Sequence, residues 1–398
     1  MPHEFNPFTE QIVVEYFVGR EYKLKQFRGD LSGLRAKMPN HQYIAGLNGT
    51  GKTSYLAKLV EIARDDGFLA VMPTLDAQSL SYSHISTIIR SIVAALEEQW
   101  GEHVPKIVSD WDAGKDSKYF YLPRTDELKS DRVRQDFEKL ANLMKEAKIP
   151  GAVICIDEGQ RIDGRAMSAL KNALQQLNSY LVVLSWRLVS DTGGAVAAGR
   201  LELDTKATNE AEGDIGASRF YVTGIPIGPF ETDQEAVDCI RRRLLDNVIQ
   251  FDDEAIVRIG RIAKRLPKTM ILIANNLYQS AQKDGVQVVT TELLNQTFRN
   301  MYQKEVMEAV TLLDTSPGGV KSALRGLLAL RQPANPAAIA THLYPGTKPE
   351  LLIDSIDGIR SNLDRACGSS SFCIKTQDRY DIPNSIHAYA LELTLGIV

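Results

Sequence analysis

Gly46-Leu47-Asn48-Gly49-Thr50-Gly51-Lys52-Thr53 has the spacing G-x-x-x-x-G-K-[ST], and its reading decides the fold. Upstream, Gln42 to Ala45 is a short strand-like run; downstream, Ser54 to Arg64 repeats apolar residues at helical spacing. Strand, glycine loop and helix in that order suit phosphate binding. Backbone N–H groups can surround a phosphate only where side chains are absent, and a helix N-terminus adds a favourable dipole. Lys52 is expected to reach the β- and γ-phosphates and the Thr53 hydroxyl to ligate Mg²⁺. Gly46, Asn48, Gly49, Thr50, Gly51 and Ser54 are the remaining candidates for the cradle. The competing reading is a glycine turn that binds nothing.

A second signal lies about a hundred residues on. Gly151 to Ile156 is an almost unbroken apolar run, the pattern of a strand buried on both faces of a parallel sheet, and it ends in Asp157-Glu158. Adjacent carboxylates at the end of a buried strand are costly unless something positive meets them, and a phosphate-bound Mg²⁺ would do so. Asp157 is the expected metal ligand, and Glu158 the expected group that polarises an attacking water. The alternative is that the pair only caps the helix that follows.

Asp163 to Asn178 is expected to be that helix, and Tyr180 to Leu184 a further buried strand running into Ser185-Trp186-Arg187. Ser185 and Arg187 are candidate sensors of a γ-phosphate. Gly193 to Ser218 is rich in Gly, Ala and acidic residues without periodicity, and Phe220 to Thr223 is the expected fifth strand. Arg200 and Arg219 flank that excursion, and either could act in trans on a neighbouring subunit. The stretch Gln99 to Glu127 interrupts the core pattern as an insertion.

With 398 residues, the chain suits two or three domains. Its 44% hydrophobic and 24% charged residues are those of a globular protein, and a formal charge of -4 announces no polyanionic partner. The first residues carry Glu4, Glu10 and Glu15, and apolar runs stay far short of the roughly 20 residues a membrane span needs. The expected setting is cytoplasmic, without a membrane. Cys155, Cys239, Cys367 and Cys373 form no C-x-x-C pair and are expected to be reduced structural thiols.

Phe17-Val18-Gly19-Arg20-Glu21, with Leu24 and Phe27 after it, resembles the FVGRE box of origin-recognition-type AAA+ ATPases and of the related STAND signalling ATPases. Asp157-Glu158-Gly159-Gln160 is similar to the strand end of transposition-helper ATPases. The resemblance implies ATP and Mg²⁺ as ligands, with Val18 and Gly19 lining the base pocket and Arg20 structural or near the phosphates. It implies an α/β doubly wound sheet of the additional-strand AAA+ type over residues 1–228, followed by a helical lid over 229–305. Thr232-Asp233-Gln234-Glu235 has the form of a capping box for the first lid helix, through Asp246; Asp252 to Lys264 and Thr269 to Gln282 follow. At the turn where family members carry a sensing arginine, this chain has Arg265-Leu266-Pro267-Lys268, so Lys268 is the candidate sensor and Arg265 the alternative. Arg241-Arg242-Arg243 is expected to be a solvated face.

Residues 306–398 read as short helices, Val320–Leu330, Ala334–Leu343 and Pro349–Arg365, then two strand-like pieces, Ser371–Thr376 and Arg379–Ile382. Three helices and a hairpin resemble a winged helix. On the third helix Arg360 and Arg365 are outnumbered by Glu350, Asp354, Asp357 and Asp364, the reverse of a phosphate-binding surface. DNA and a protein partner both remain open for this domain. The expected activity is Mg²⁺-dependent ATP hydrolysis driving an assembly switch, with a homo-oligomer or a partner protein, in a DNA-linked process; the alternative is a STAND-type switch that answers a ligand or protein without DNA.

Overall fold

A computed structural model describes residues 6–9, 11–75, 81–101, 128–162, 164–187, 223–348, 352–370 and 372–397. The chain divides into two compact units, residues 11–230 and residues 231–398 with the N-terminal segment. Arg200, Arg219, nearly all of the 99–127 insertion and Phe220 to Val222 lie outside the described residues.

In the first unit, α1 (Glu21–Arg35), β1 (Gln42–Gly46), α2 (Lys52–Asp65), β2 (Leu69–Val71), α3 (Ser81–Trp100), α4 (Ser130–Glu146), β3 (Ala152–Ile156), α5 (Gly164–Leu174), β4 (Tyr180–Arg187) and β5 (Thr223–Pro226) follow in order. The five strands form one parallel sheet in the order β2-β3-β4-β1-β5. Of the expected fifth strand only Thr223 lies among the described residues, and from there β5 pairs with β1 through Pro226.

Alternation along the strands explains why both faces are covered. Ile154, Ile156, Val182 and Leu184 point into one core with Ile88, Phe137, Leu140 and Leu170 of α3, α4 and α5. Val153, Cys155, Leu181 and Val183 point into the other, against Phe27, Leu31, Tyr55 and Leu59 of α1 and α2. A strand buried on both faces must be apolar at every position, which β3 and the first five residues of β4 are. At about 25 cal/mol per Å² these faces are the main stabilising contribution. Burial also drives the thiol pKa values of Cys155 and Cys239 up, so both are inert.

The second unit contains α6 (Asp233–Arg241), β6 (Gln250–Phe251), α7 (Asp253–Ile262), α8 (Pro267–Asp284), β7 (Val288–Val289), α9 (Thr291–Met301), α10 (Gln303–Thr315), α11 (Gly318–Leu330), α12 (Pro336–Leu343), α13 (Ile353–Ser369), β8 (Ile374–Thr376), β9 (Arg379–Asp381) and α14 (Ser385–Thr394). The capping box opens α6 as expected: the Glu235 N–H donates to Thr232 Oγ1 at 3.1 Å, and the Thr232 N–H donates to Glu235 Oε2 at 3.1 Å. Asp252 caps α7 in the same way, accepting from the Ala255 N–H at 2.6 Å. The three helices α11 to α13, the antiparallel β8–β9 hairpin and a bridge between Ala334 and Tyr380 make the C-terminal part winged-helix-like. Helix α14 follows the hairpin, and its Tyr389 packs edge-on against Phe298 at 4.7 Å and donates to Asn295 Oδ1 of α9.

Two expectations are corrected. Cys367 and Cys373 are joined as a disulfide, their Cα atoms 4.7 Å apart, because the end of α13 and the approach to β8 bring them together across a short turn. Arg243 is not on a solvated face. Helix α6 tightens into a 3₁₀ turn at Arg242, which turns Arg243 inward to donate to the Pro7 carbonyl at 3.1 Å; Arg241 pairs with Asp253 instead. Among the described residues no helix is long and apolar enough to cross a membrane.

Candidate active site

The carboxyl ends of β1, β3 and β4 meet at one edge of the sheet. Register places Gly46 beside Arg187 and Ile44 beside Ser185, while Ile156 lies beside Leu184, so Asp157 emerges next to Ser185. From Gly46 the chain turns through the loop into α2. A Cβ at Gly46 would collide with the Ile227 carbonyl, so the residue must be glycine. Gly49 and Gly51 have φ of 81° and 86°, a left-handed backbone that lets the loop curl and hand over to the helix. No side chain caps α2, so its first N–H groups face the loop without a side-chain acceptor.

Two opposite charges stand at this edge, each bonded to neutral groups. Lys52 Nζ donates to the Gly46 and Leu47 carbonyls, both at 2.9 Å. Asp157 Oδ2 accepts from Thr53 Oγ1 at 2.6 Å, and Oδ1 accepts from Ser185 Oγ at 2.5 Å and from the Glu158 N–H at 3.0 Å. Burial lowers the Lys52 pKa; Asp157 and Glu158 raise it again and Arg187 opposes them. The carboxylates and the ammonium therefore act on one another through space without closing into an ion pair. Thr53 Oγ1 and Asp157 Oδ2 are hard oxygen donors in contact, the ligand chemistry that Mg²⁺ prefers, and the rest of an octahedral set would come from water and phosphate.

Glu158 takes a left-handed conformation, φ 49°, which turns its side chain out of the strand direction. Its N–H donates to Ser185 Oγ at 2.8 Å, and its carboxylate pairs with Arg161 three residues on. Sequence reasoning missed Arg161; its one signal was the i, i+3 spacing of opposite charges across a tight turn. Ser185 is fully buried, and its hydroxyl is taken up by Asp157 and Glu158. Arg187 lies exposed at the strand end beside the first glycine of the loop.

Thr50 is buried, its hydroxyl donating to the Leu47 carbonyl at 3.0 Å, so only its backbone can serve a ligand. Asn48 is exposed at the loop tip, and Ser54 is half-buried in the first turn of α2. Val18 and Gly19 are buried just ahead of α1, where Phe17 packs on Tyr55 of α2. The contacts of Arg20 are structural: its Nη2 donates to the Thr50 carbonyl at 2.5 Å and to the Gly228 carbonyl at 3.1 Å, fastening the loop to the segment after β5. Lys268 and Arg265 belong to the second unit. Lys268 stands exposed in the first turn of α8, whereas Arg265 donates to the Glu231 carbonyl at 2.9 Å.

Residues 16–184 match the family model for the AAA ATPase domain. No curated protein matches the chain. Among solved structures the chain is similar to the ORC2 protein of Aeropyrum pernix in ADPNP-ADP complexes, at 11% identity and TM-score 0.51, covering 99% of this chain and 97% of that one. It is also similar to the Thermotoga maritima RuvB Holliday junction branch migration motor, at 13% identity and TM-score 0.42 over 94% and 95% of the two chains. Drosophila ORC bound to DNA gives 13% identity and TM-score 0.44 over 97% and 90%. At such identities only fold is at issue, and the ORC2 likeness carries it. Residues 16–184 are therefore an AAA ATPase domain, a domain whose family implies P-loop ATP hydrolysis.

Proposed function

We propose that the protein is an intracellular switch that binds ATP with Mg²⁺ at Gly46–Thr53 and hydrolyses it to drive a change of conformation or assembly. The observation that carries this reading is the separation of Lys52 from Asp157, each held by neutral groups. A cation resting on its own loop's carbonyls and a carboxylate resting on hydroxyls leave one place for an anion and another for a cation. Lys52 would exchange the Gly46 and Leu47 carbonyls for phosphate oxygens, which are stronger, charged acceptors. Thr53 and Asp157 would hold Mg²⁺, with Ser185 fixing the Asp157 carboxylate. Bound there, Mg²⁺ would offset phosphate charge. Glu158 would leave Arg161 to orient the attacking water, and Arg187 would answer the γ-phosphate from the strand end.

Three functional parts fit this scheme: residues 1–228 as nucleotide domain, 229–305 as lid with Lys268 as its sensor, and 306–398 as the part that meets a partner. A DNA-linked process, in company with a second copy or a partner protein, is favoured by the motif resemblance and by the winged-helix-like fold. One observation favours the second reading, a switch answering a protein or ligand trigger without DNA. Lys375, at the wing, is already paired with Asp364 at 2.7 Å, and Arg360 is near Asp357 and Asp378. The test is ATP binding by the Lys52→Ala variant. Affinity should fall on the order of a hundredfold, since a charged partner of phosphate is removed; binding at wild-type strength would sink the site assignment.

A further inference from the structure

In the second unit a cavity of about 230 Å³ lies among α7, the end of α11 and α14. Arg258 and Arg261 reach it from α7, Arg331 from the left-handed residue that ends α11, and Glu392 from α14; Glu254 stands at its edge. One pair closes: Glu254 is taken by Arg258 Nη2 at 2.6 Å. The Arg258 guanidinium also lies against the Tyr389 hydroxyl, and its Nη1 is buried without a hydrogen bond of good geometry among the described residues. The side chains of Arg261 and Arg331 make no hydrogen bond or ion pair among the described residues. They act on Glu392 only through space, as does Arg258. Three guanidiniums thus meet two carboxylates, Glu254 paired with Arg258 and the half-buried Glu392, which leaves one positive charge in excess.

Arg261 and Arg331 are exposed, so an anion would replace water at charged donors, and a planar fork of N–H donors matches the oxygens of a phosphate. A tetrahedral oxyanion fits the volume, which equals that of several waters. We propose that this cavity is a second anion site, which binds a phosphate group through Arg261, Arg331 and Nη1 of Arg258, with Glu392 as its internal competitor. The phosphate comes either from a free ester or from a nucleic-acid backbone. The site is independent of the P-loop, 200 residues and more away in sequence, and it draws on a lid helix and on the C-terminal part at once. An anion seated there would fasten those two parts together.

The test is titration of the full chain with inorganic phosphate, followed by calorimetry, in a Lys52→Ala background so that the P-loop does not contribute. Saturable binding is expected, weakened about tenfold by Arg261→Gln and by Arg331→Gln, each of which removes a charged donor. Glu392→Gln is expected to do the opposite and tighten binding several-fold, a gain that a misfolded variant would not show. Competition of a mixed-sequence DNA duplex for the bound phosphate would assign the source to a backbone, and indifference to the duplex would assign it to a free phosphate. Absence of saturable binding, or equal affinity in the parent, Arg261→Gln, Arg331→Gln and Glu392→Gln proteins, would overturn the proposal.

Discussion

The carboxyl ends of β3 and β4 and the β8–β9 hairpin both gather charged side chains, and they settle those charges in opposite ways. At the sheet edge Lys52 leans on two carbonyls and Asp157 on two hydroxyls and an amide, so cation and anion stay apart. At the hairpin, Asp364 accepts from both Lys375 and Tyr380, and the Lys375 ammonium lies 5.3 Å from the centre of the Tyr380 ring. The hairpin completes itself. A surface whose cations are already paired has little to offer phosphates, because neutralising phosphates requires giving up those pairs. Separated charges on neutral partners lose far less when a ligand arrives.

Acid should act unequally on the first unit and on the hairpin. His41, just ahead of β1, is buried, its Nδ1 accepting from the Val182 N–H at 3.1 Å, and burial holds its pKa down at about 4. An unfolded histidine titrates near 6.5, so the unfolded chain takes up a proton first as pH falls. The stability due to the neutral ring is complete above about pH 6.5 and is lost as pH falls towards 4, by up to about 3 kcal/mol. Chemical denaturation followed between pH 7 and 4 should lose that amount, and His41→Gln should flatten the loss. Asp364 is held below the ordinary carboxylate range by its hydrogen bonds with Lys375 and Tyr380, but it is exposed and contributes only about 0–1 kcal/mol.

Ser185→Ala sharpens the contrast at the metal. Without that hydroxyl the Asp157 carboxylate loses its main fixed donor, so the Mg²⁺ concentration needed to support ATP binding should rise about tenfold. ATP binding in the absence of Mg²⁺ should not change; an unchanged Mg²⁺ midpoint would remove Ser185 from the site. The smallest effect is expected at the wing. Asp364→Asn frees Lys375, and affinity for a mixed-sequence duplex, measured by anisotropy against salt, should rise by no more than about threefold. A rise of tenfold or more would break the comparison, because it would mean that a basic reader is held in check by one carboxylate.

Much of the first unit was legible because its signals are local. The loop motif and the apolar runs of β3 and β4 each lie within a few consecutive residues and fix one element, as does the capping box at Thr232 in the second unit. Contacts between distant residues were not legible. Arg20 reaches Thr50 and Gly228, 30 and 208 residues away, and nothing at Arg20 announces either carbonyl. Arg243 looked like part of a solvated run because its inward turn depends on a helix tightening and on Pro7, more than two hundred residues earlier. The disulfide was missed because its cysteines stand six positions apart without any recognised pattern. The arginine cavity draws on three helices whose sequences are individually ordinary.

The most direct test is to measure ATP binding and turnover side by side in the wild-type protein and in Glu158→Gln. Glu158 stands beside Asp157 on a left-handed turn and pairs with Arg161. The expected result is Mg²⁺-dependent ATP binding of equal strength in both proteins, with turnover lowered by roughly 10² or more in the variant, as for loss of a general base. Turnover in Glu158→Gln equal to that of the wild type would contradict the account.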